Sequence, residues 1–310
     1  MTLQEQIRSN RRRSILVVGG FLLLILAFVL IIGGAYSPGV AGVIGIIAIS
    51  YGLISYFASG RIIAAASGAR PAGPDEMREV QRILENVSIA AGLARTPPLY
   101  IIDDKSPNAF AAGRDPEHAY VAVTTGIVEL MDRRELEGVL AHEISHVRNR
   151  DVRLMSLAAV MVGVIALAAD MLMRITIWGG DEDSRLGVIG VVVGLMAAVL
   201  APIGAALLQM ALSRQREYLA DASAVEITGD AEGLARALAD LRDDKRPLQK
   251  VTRATAHLYI ESPLRDHKGL RSSLGGMFDT HPPLEERIAR LEQMGGFKLP
   301  QPAGAPSSSM

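Results

Sequence analysis

A chain of 310 residues with a formal net charge of −1 has room for one or two domains and carries no electrostatic footprint for nucleic acid. Its mean hydropathy of +0.26, despite 21% charged residues, requires the apolar residues to be concentrated in segments. The absence of cysteine excludes disulfide stapling and restricts any zinc site to histidine and carboxylate ligands.

From Ser14 to Gly60 there is no Asp, Glu, Lys, Arg or His, and only Tyr36-Ser37-Pro38-Gly39 interrupts the apolar run. Two spans of about 20 residues joined by a tight turn predict a membrane hairpin. The run is too long for a secretory signal and lacks a small-residue cleavage site, so an uncleaved anchor is expected. Arg8, Arg11, Arg12 and Arg13 in front of it fit the positive-inside rule better than a phosphate-binding patch.

Gly68 to Pro74 reads as a linker and Asp75 to Gly92 as an amphipathic helix. Tyr100 to Ile102 and Tyr120 to Thr124 read as short strands. Asp132 followed by Glu135 is an N-cap with its capping-box carboxylate, and Leu136, Val139, Leu140, Ile144 and Val147 then recur at helical spacing. A second hairpin is expected from Leu154 to Trp178 and from Leu186 to Leu212, around the polar Gly179 to Arg185. Asp170 and Arg174 interrupt its first span and are read as a mutual i,i+4 pair near its outer end, and Pro202 as a kink. Gln215 to Thr228, Ala231 to Arg242 and Pro283 to Met294 read as helices, and the Pro/Ala/Ser-rich tail from Leu299 as disordered.

Four spans after a basic N-terminus put both chain ends on the cytoplasmic side. Arg61, Arg70, Arg148, Arg150, Arg153, Arg214 and Arg216 then share that side, and Asp181-Glu182-Asp183 lies outside. The fold class expected is mainly α with a small β-sheet and four transmembrane helices in two hairpins. The division is residues 1–60 (first hairpin), 61–153 (first cytosolic part), 154–212 (second hairpin), 213–298 (second cytosolic part) and 299–310 (tail).

The chemistry sits in His142-Glu143-Ile144-Ser145-His146. Histidines four apart stack on one helix face with the glutamate on the same arc, the geometry of a metal site with a built-in base. On a helical wheel this arc borders the apolar stripe, with Glu137, Ala141, Ser145 and Arg148 on the other side. A zinc site of this kind takes a third protein ligand and keeps a fourth position for water. The second hairpin limits its source: at 1.5 Å per residue, His146 and Glu217 lie roughly 12 and 8 Å from the membrane on neighbouring helices. Glu217 is therefore the third ligand expected. Asp221, one turn on, can accept the remaining N–H of a ligating imidazole.

These residues, together with Ser106-Pro107-Asn108-Ala109-Phe110-Ala111 and Thr280-His281-Pro282-Pro283-Leu284-Glu285-Glu286-Arg287, resemble the HtpX membrane metalloproteases, relatives of the CAAX prenyl endopeptidases. The resemblance spans nearly the whole chain. It implies a gluzincin-like zinc endopeptidase, one Zn2+ per chain, that clears misfolded membrane proteins from the cytosolic side of the inner or plasma membrane. By position it implies His142, His146 and Glu217 as ligands, Glu143 as base, Asn108 near the scissile carbonyl and His281 on the oxyanion. Asp221 would support a ligand, and Arg287 would pair with Asp221 or a nearby acid. His281-Pro282-Pro283 reads equally as a plain helix start. His257 reads as a packed histidine, and His118 and His267 as surface residues.

Partners expected are unfolded or membrane-protein substrates and the bilayer, with the Asn108 to Thr124 region as an edge for an extended peptide. Rival readings are a CAAX-type processing peptidase, a non-proteolytic zinc-bearing scaffold, which would need no Glu143, and a transporter, whose paired broken helices are missing.

Overall fold

The computed structural model describes residues 38–157, 214–244, 246, 260 and 282–300, with Arg12, Leu16 and Gly19; over residues 38–55 it describes the side chains only in part. Helix α1 (Pro38–Ser67) leads into strand β1 (Arg70–Pro71), helix α2 (Arg78–Ala90) and strands β2 (Leu99–Ile102), β3 (Ala109–Gly113) and β4 (Ala119–Thr124). Helices α3 (Thr125–Leu130), α4 (Arg133–Arg148), α5 (Arg214–Thr228), α6 (Ala231–Asp243) and α7 (Leu284–Gly295) complete the described elements.

The four strands form one sheet in the order β1-β2-β4-β3. β2 and β4 run parallel, and β1 and β3 join antiparallel at the two edges. Alternation sorts the side chains between two cores, because successive residues of a strand point to opposite faces. Leu99, Ala109, Ala111, Val121 and Val123 meet the helices on one face. Ile102, Phe110, Ala112, Tyr120 and Ala122 meet Ile63 and Ala64 of α1, with Met155, on the other.

The expected linker at Gly68 to Pro74 contains β1, a two-residue edge strand in which Arg70 pairs with Ile101 and Pro71 with Tyr100. Proline is tolerated there because an edge strand has a side that needs no ladder donor. Asp75 to Gly92 contracts to α2, entered through Met77 in the left-handed region and left before Gly92 at φ 72°. β3 was absent from the expected strands: Ala-Phe-Ala-Ala-Gly carries little strand propensity, and its pairing with β4 decides it.

Among the described residues no helix is long and apolar enough to cross a membrane. The expected second span falls on the N-terminal part of α1, where many side chains are not described, and the first, third and fourth spans lie outside the described residues apart from Leu16, Gly19 and 154–157. Asp170, Arg174, Pro202 and the tail beyond Pro300 also lie outside them.

Candidate metal centre

α4 starts as its sequence dictates. The Asp132 side chain accepts from the Glu135 N–H at 2.9 Å, and the Glu135 carboxylate accepts from the Asp132 N–H at 2.8 Å, which closes the capping box. On the side of this helix away from the stripe, Ala141 and Ser145 are fully buried, and only Glu137 and Arg148 of that set keep some exposure. α5 and α6 pack against this helix. Gly138 permits this, since a Cβ there would stand 2.9 Å from the backbone of Leu234.

The burial brings polar groups into the interior with it. His142, Glu143, His146 and Glu217 are each no more than 3% exposed, so their charges need compensation. One donor atom from each of His142, His146 and Glu217 lies within 4.8 Å of the other two. The two Nε2 atoms are 3.2 Å apart, and each is 3.6 Å from a Glu217 oxygen.

The outer nitrogens decide what the inner ones carry. Nδ1 of His142 faces Asp221 Oδ1 at 2.9 Å, and Nδ1 of His146 faces Asp151 Oδ2 at 3.1 Å. A carboxylate accepts only, so in the neutral tautomers both Nδ1 atoms donate and both Nε2 lone pairs point inward with the Glu217 oxygens. Three acceptors facing one another repel unless a cation or a proton lies between them. Ligands of a tetrahedral zinc at about 2.0–2.1 Å lie about 3.3 Å apart, close to the separations here. The donor set thus fits a divalent ion of zinc type.

Without an ion, protons take its place. Burial, the strongest single influence, and the Arg287 charge oppose protonation of His142, but Asp221 and Glu217 together outweigh them and lift its pKa to about 9. His146 moves the same way, its burial outweighed by Asp151 and Glu217. Metal uptake therefore displaces protons.

Glu143 accepts a backbone hydrogen bond from Ala111 of β3, and burial, opposed by the two histidines, raises its pKa. Arg287 is fully buried and grips Asp221 through two hydrogen bonds, Nε to Oδ2 at 2.9 Å and Nη2 to Oδ1 at 2.6 Å. Burial favours the neutral acid, yet Arg287 and His142 hold the Asp221 pKa down at about 2. Arg287 also stands 3.3 Å from His142 Nδ1 and 3.8 Å from Glu217.

The other expected site residues are placed less directly. Asn108 is buried at the start of β3, where its side-chain oxygen accepts from the Ala109 N–H at 3.0 Å. His281, His257 and His267 lie outside the described residues. His118 is half exposed and bonded to Asp115.

Two participants had not been expected. Asp151 is fully buried behind His146. Arg150, at φ 60°, turns the chain back so that the acid faces the helix it has just left. An acid shortly after the second histidine was the available signal. The other is Ala111, whose contact with Glu143 depends on a strand that propensity did not predict.

A helix that delivers two imidazoles and a buried carboxylate to one point, met there by a carboxylate of a second helix, is built as in a metallopeptidase. Comparison with known proteins places the chain in that class. The model of peptidase family M48 matches residues 74–295. A protease HtpX homolog of Thermoanaerobacter pseudethanolicus is 40% identical over 301 residues, covering 94% of this chain and 98% of that protein. A protease HtpX homolog of Dictyoglomus turgidum is 42% identical over 299 residues, covering 95% of each. The crystal structure of S. mikatae Ste24p aligns with a TM-score of 0.45 and 16% identity over 93% of this chain and 67% of that one. The chain belongs to peptidase family M48 and is a metalloendopeptidase.

Proposed function

We propose that this chain is a zinc endopeptidase embedded in the plasma or inner membrane, which hydrolyses misfolded or damaged membrane proteins on the cytoplasmic side. The observation that carries the reading is the convergence of His142, His146 and Glu217, with Asp151 and Asp221 holding the outer imidazole nitrogens. Two nitrogens and one carboxylate with no thiol suit zinc. Residues 1–60 and 154–212 form two membrane hairpins in this reading. Residues 61–153 and 213–298 form the cytosolic catalytic body, which the clustering of arginine beside the expected spans supports.

Zinc bound there supplies Lewis acidity that polarises the scissile carbonyl and acidifies a water molecule. The chain's own residues do the rest. Glu143 accepts the proton of the attacking water and returns it to the leaving amine. Its raised pKa suits both transfers. Asn108 contacts the substrate near the carbonyl, and His281 stabilises the oxyanion. Asp221 and Asp151 keep each imidazole in the tautomer that turns Nε2 inward, and Arg287 holds Asp221.

The substrate lies along the outer edge of β3 as an added strand, which brings its backbone past Glu143 because the Ala111 N–H bonds that carboxylate. Such pairing tolerates many sequences, as disposal of damaged proteins requires. A CAAX-type processing role would instead demand a prenylated substrate.

The test is metal analysis with digestion of casein and of a membrane protein in liposomes. Wild type is expected to hold one zinc and cut both substrates, and Glu217→Ala to lose metal and activity together. A fully active Glu217→Ala protein overturns the ligand set, and cleavage of soluble peptides alone overturns the substrate class. Asp151→Asn tests the orienting role: chelator competition is expected to show zinc held about 10–100-fold more weakly. Unchanged affinity removes Asp151 from the site.

A further inference from the structure

We propose that the cleft at the foot of α1 binds an anionic phospholipid, a proposal that rests on the membrane reading of this helix. The cleft has a volume of about 620 Å³. Its lining combines two chemistries. Leu53, Ile54 and Phe57 of α1 line the cleft and are 56%, 63% and 61% exposed, and Arg61 of the same helix lines it together with Arg95 and Arg114.

Glu117 is the one acid in the lining. Asp115 engages Arg114 at 3.5 Å but also binds His118. Among the described residues neither Arg61 nor Arg95 has an ion-pair partner. The cleft therefore keeps a positive excess directly below apolar side chains that water covers poorly. Arg114 is held in place, with Nη1 3.3 Å from the Phe57 carbonyl oxygen and its guanidinium 5.3 Å from the Phe57 ring centre. An acyl chain fits the apolar side chains and a phosphate diester the arginines, and no soluble polar ligand uses both. Basic pockets at the cytoplasmic end of a span are suited to anionic headgroups for this reason.

The position gives the lipid a consequence. Arg114 directly follows β3, the strand whose Ala111 N–H binds Glu143. A headgroup fixed on Arg114 ties the height of the catalytic strand to the bilayer surface.

The experiment places the full-length protein in phosphatidylcholine vesicles carrying a trace of spin-labelled phosphatidylglycerol or spin-labelled phosphatidylcholine, and reads the motionally restricted fraction of each. Wild type is expected to enrich the restricted phosphatidylglycerol several-fold over phosphatidylcholine, and Arg61→Gln/Arg95→Gln to abolish most of that preference. Casein digestion in detergent reports that the variant is folded, and Arg95→Gln alone serves as the milder variant if the double one is not. Equal retention of both lipids, or a preference unchanged by the substitutions, overturns the proposal. So does displacement of the label by inorganic phosphate, which would mark a site for free anions. A protein that does not enter the vesicles overturns the membrane reading itself, whereas entry without lipid preference overturns only the cleft.

Discussion

Replacement of Glu143 by glutamine is expected to leave zinc binding intact and to lower peptide hydrolysis by at least about 10²–10⁴-fold, the contribution of a positioned general base. The side chain is buried beside both histidines, and the set of donors that can hold the ion does not include it. Glutamine conserves its volume and can still accept from the Ala111 N–H, so the helix and the strand keep their places. What it loses is the capacity to take up a proton and release it again. Metal analysis and casein digestion on the same preparation check the two halves of the statement. An active Glu143→Gln protein ends the base assignment, and one that has shed its metal makes Glu143 part of the ion's support.

Arg287→Met is expected to destabilise the protein by about 3–5 kcal/mol, the usual cost of removing one partner from a buried ion pair. Among the described residues Arg287 is the largest fully buried side chain, and it neutralises Asp221 while lying close to Glu217. Methionine fills part of the space but leaves those carboxylates in the interior without their cation. Thermal unfolding in detergent is expected to show a melting temperature lower by about 10 °C, with part of the loss recovered in Arg287→Met/Asp221→Asn, where the stranded charge is also gone. A change under about 1 kcal/mol would mean that the pair is not carrying the charge balance of this interior.

The participants of the site were legible one motif at a time. The spacing of His142, Glu143 and His146 sets their common face because a helix repeats every 3.6 residues, and the Asp132 to Glu135 box marks where that helix begins. Glu217 and Asp221 were reachable because the expected hairpin constrains which helix returns beside α4. Asp151 was not, since its contact with His146 depends on Arg150 taking a left-handed conformation that its residue type does not favour. The burial of α4 beyond its apolar stripe was not legible for a related reason. Alanine and serine at 141 and 145 are neutral about burial, and the approach of α6 at Gly138 is what encloses them.

Local periodicity, capping and ligand spacing were thus enough to mark α2, α4, α5, α6 and α7 and the chemistry of α4. Each of those signals is a relation between residues a few positions apart. Tertiary structure alone decided that β3 pairs at the sheet edge and offers Ala111 to Glu143, that Arg287, which the resemblance pairs with Asp221 or a nearby acid, is buried against Asp221, and that Ala141 and Ser145 of α4 are enclosed. Ala111 and Glu143 are 32 positions apart, Asp221 and Arg287 66, and Gly138 and Leu234 96, and the free energy that selects these relations comes from covering apolar surface and pairing buried charge, terms that exist only once the segments have met.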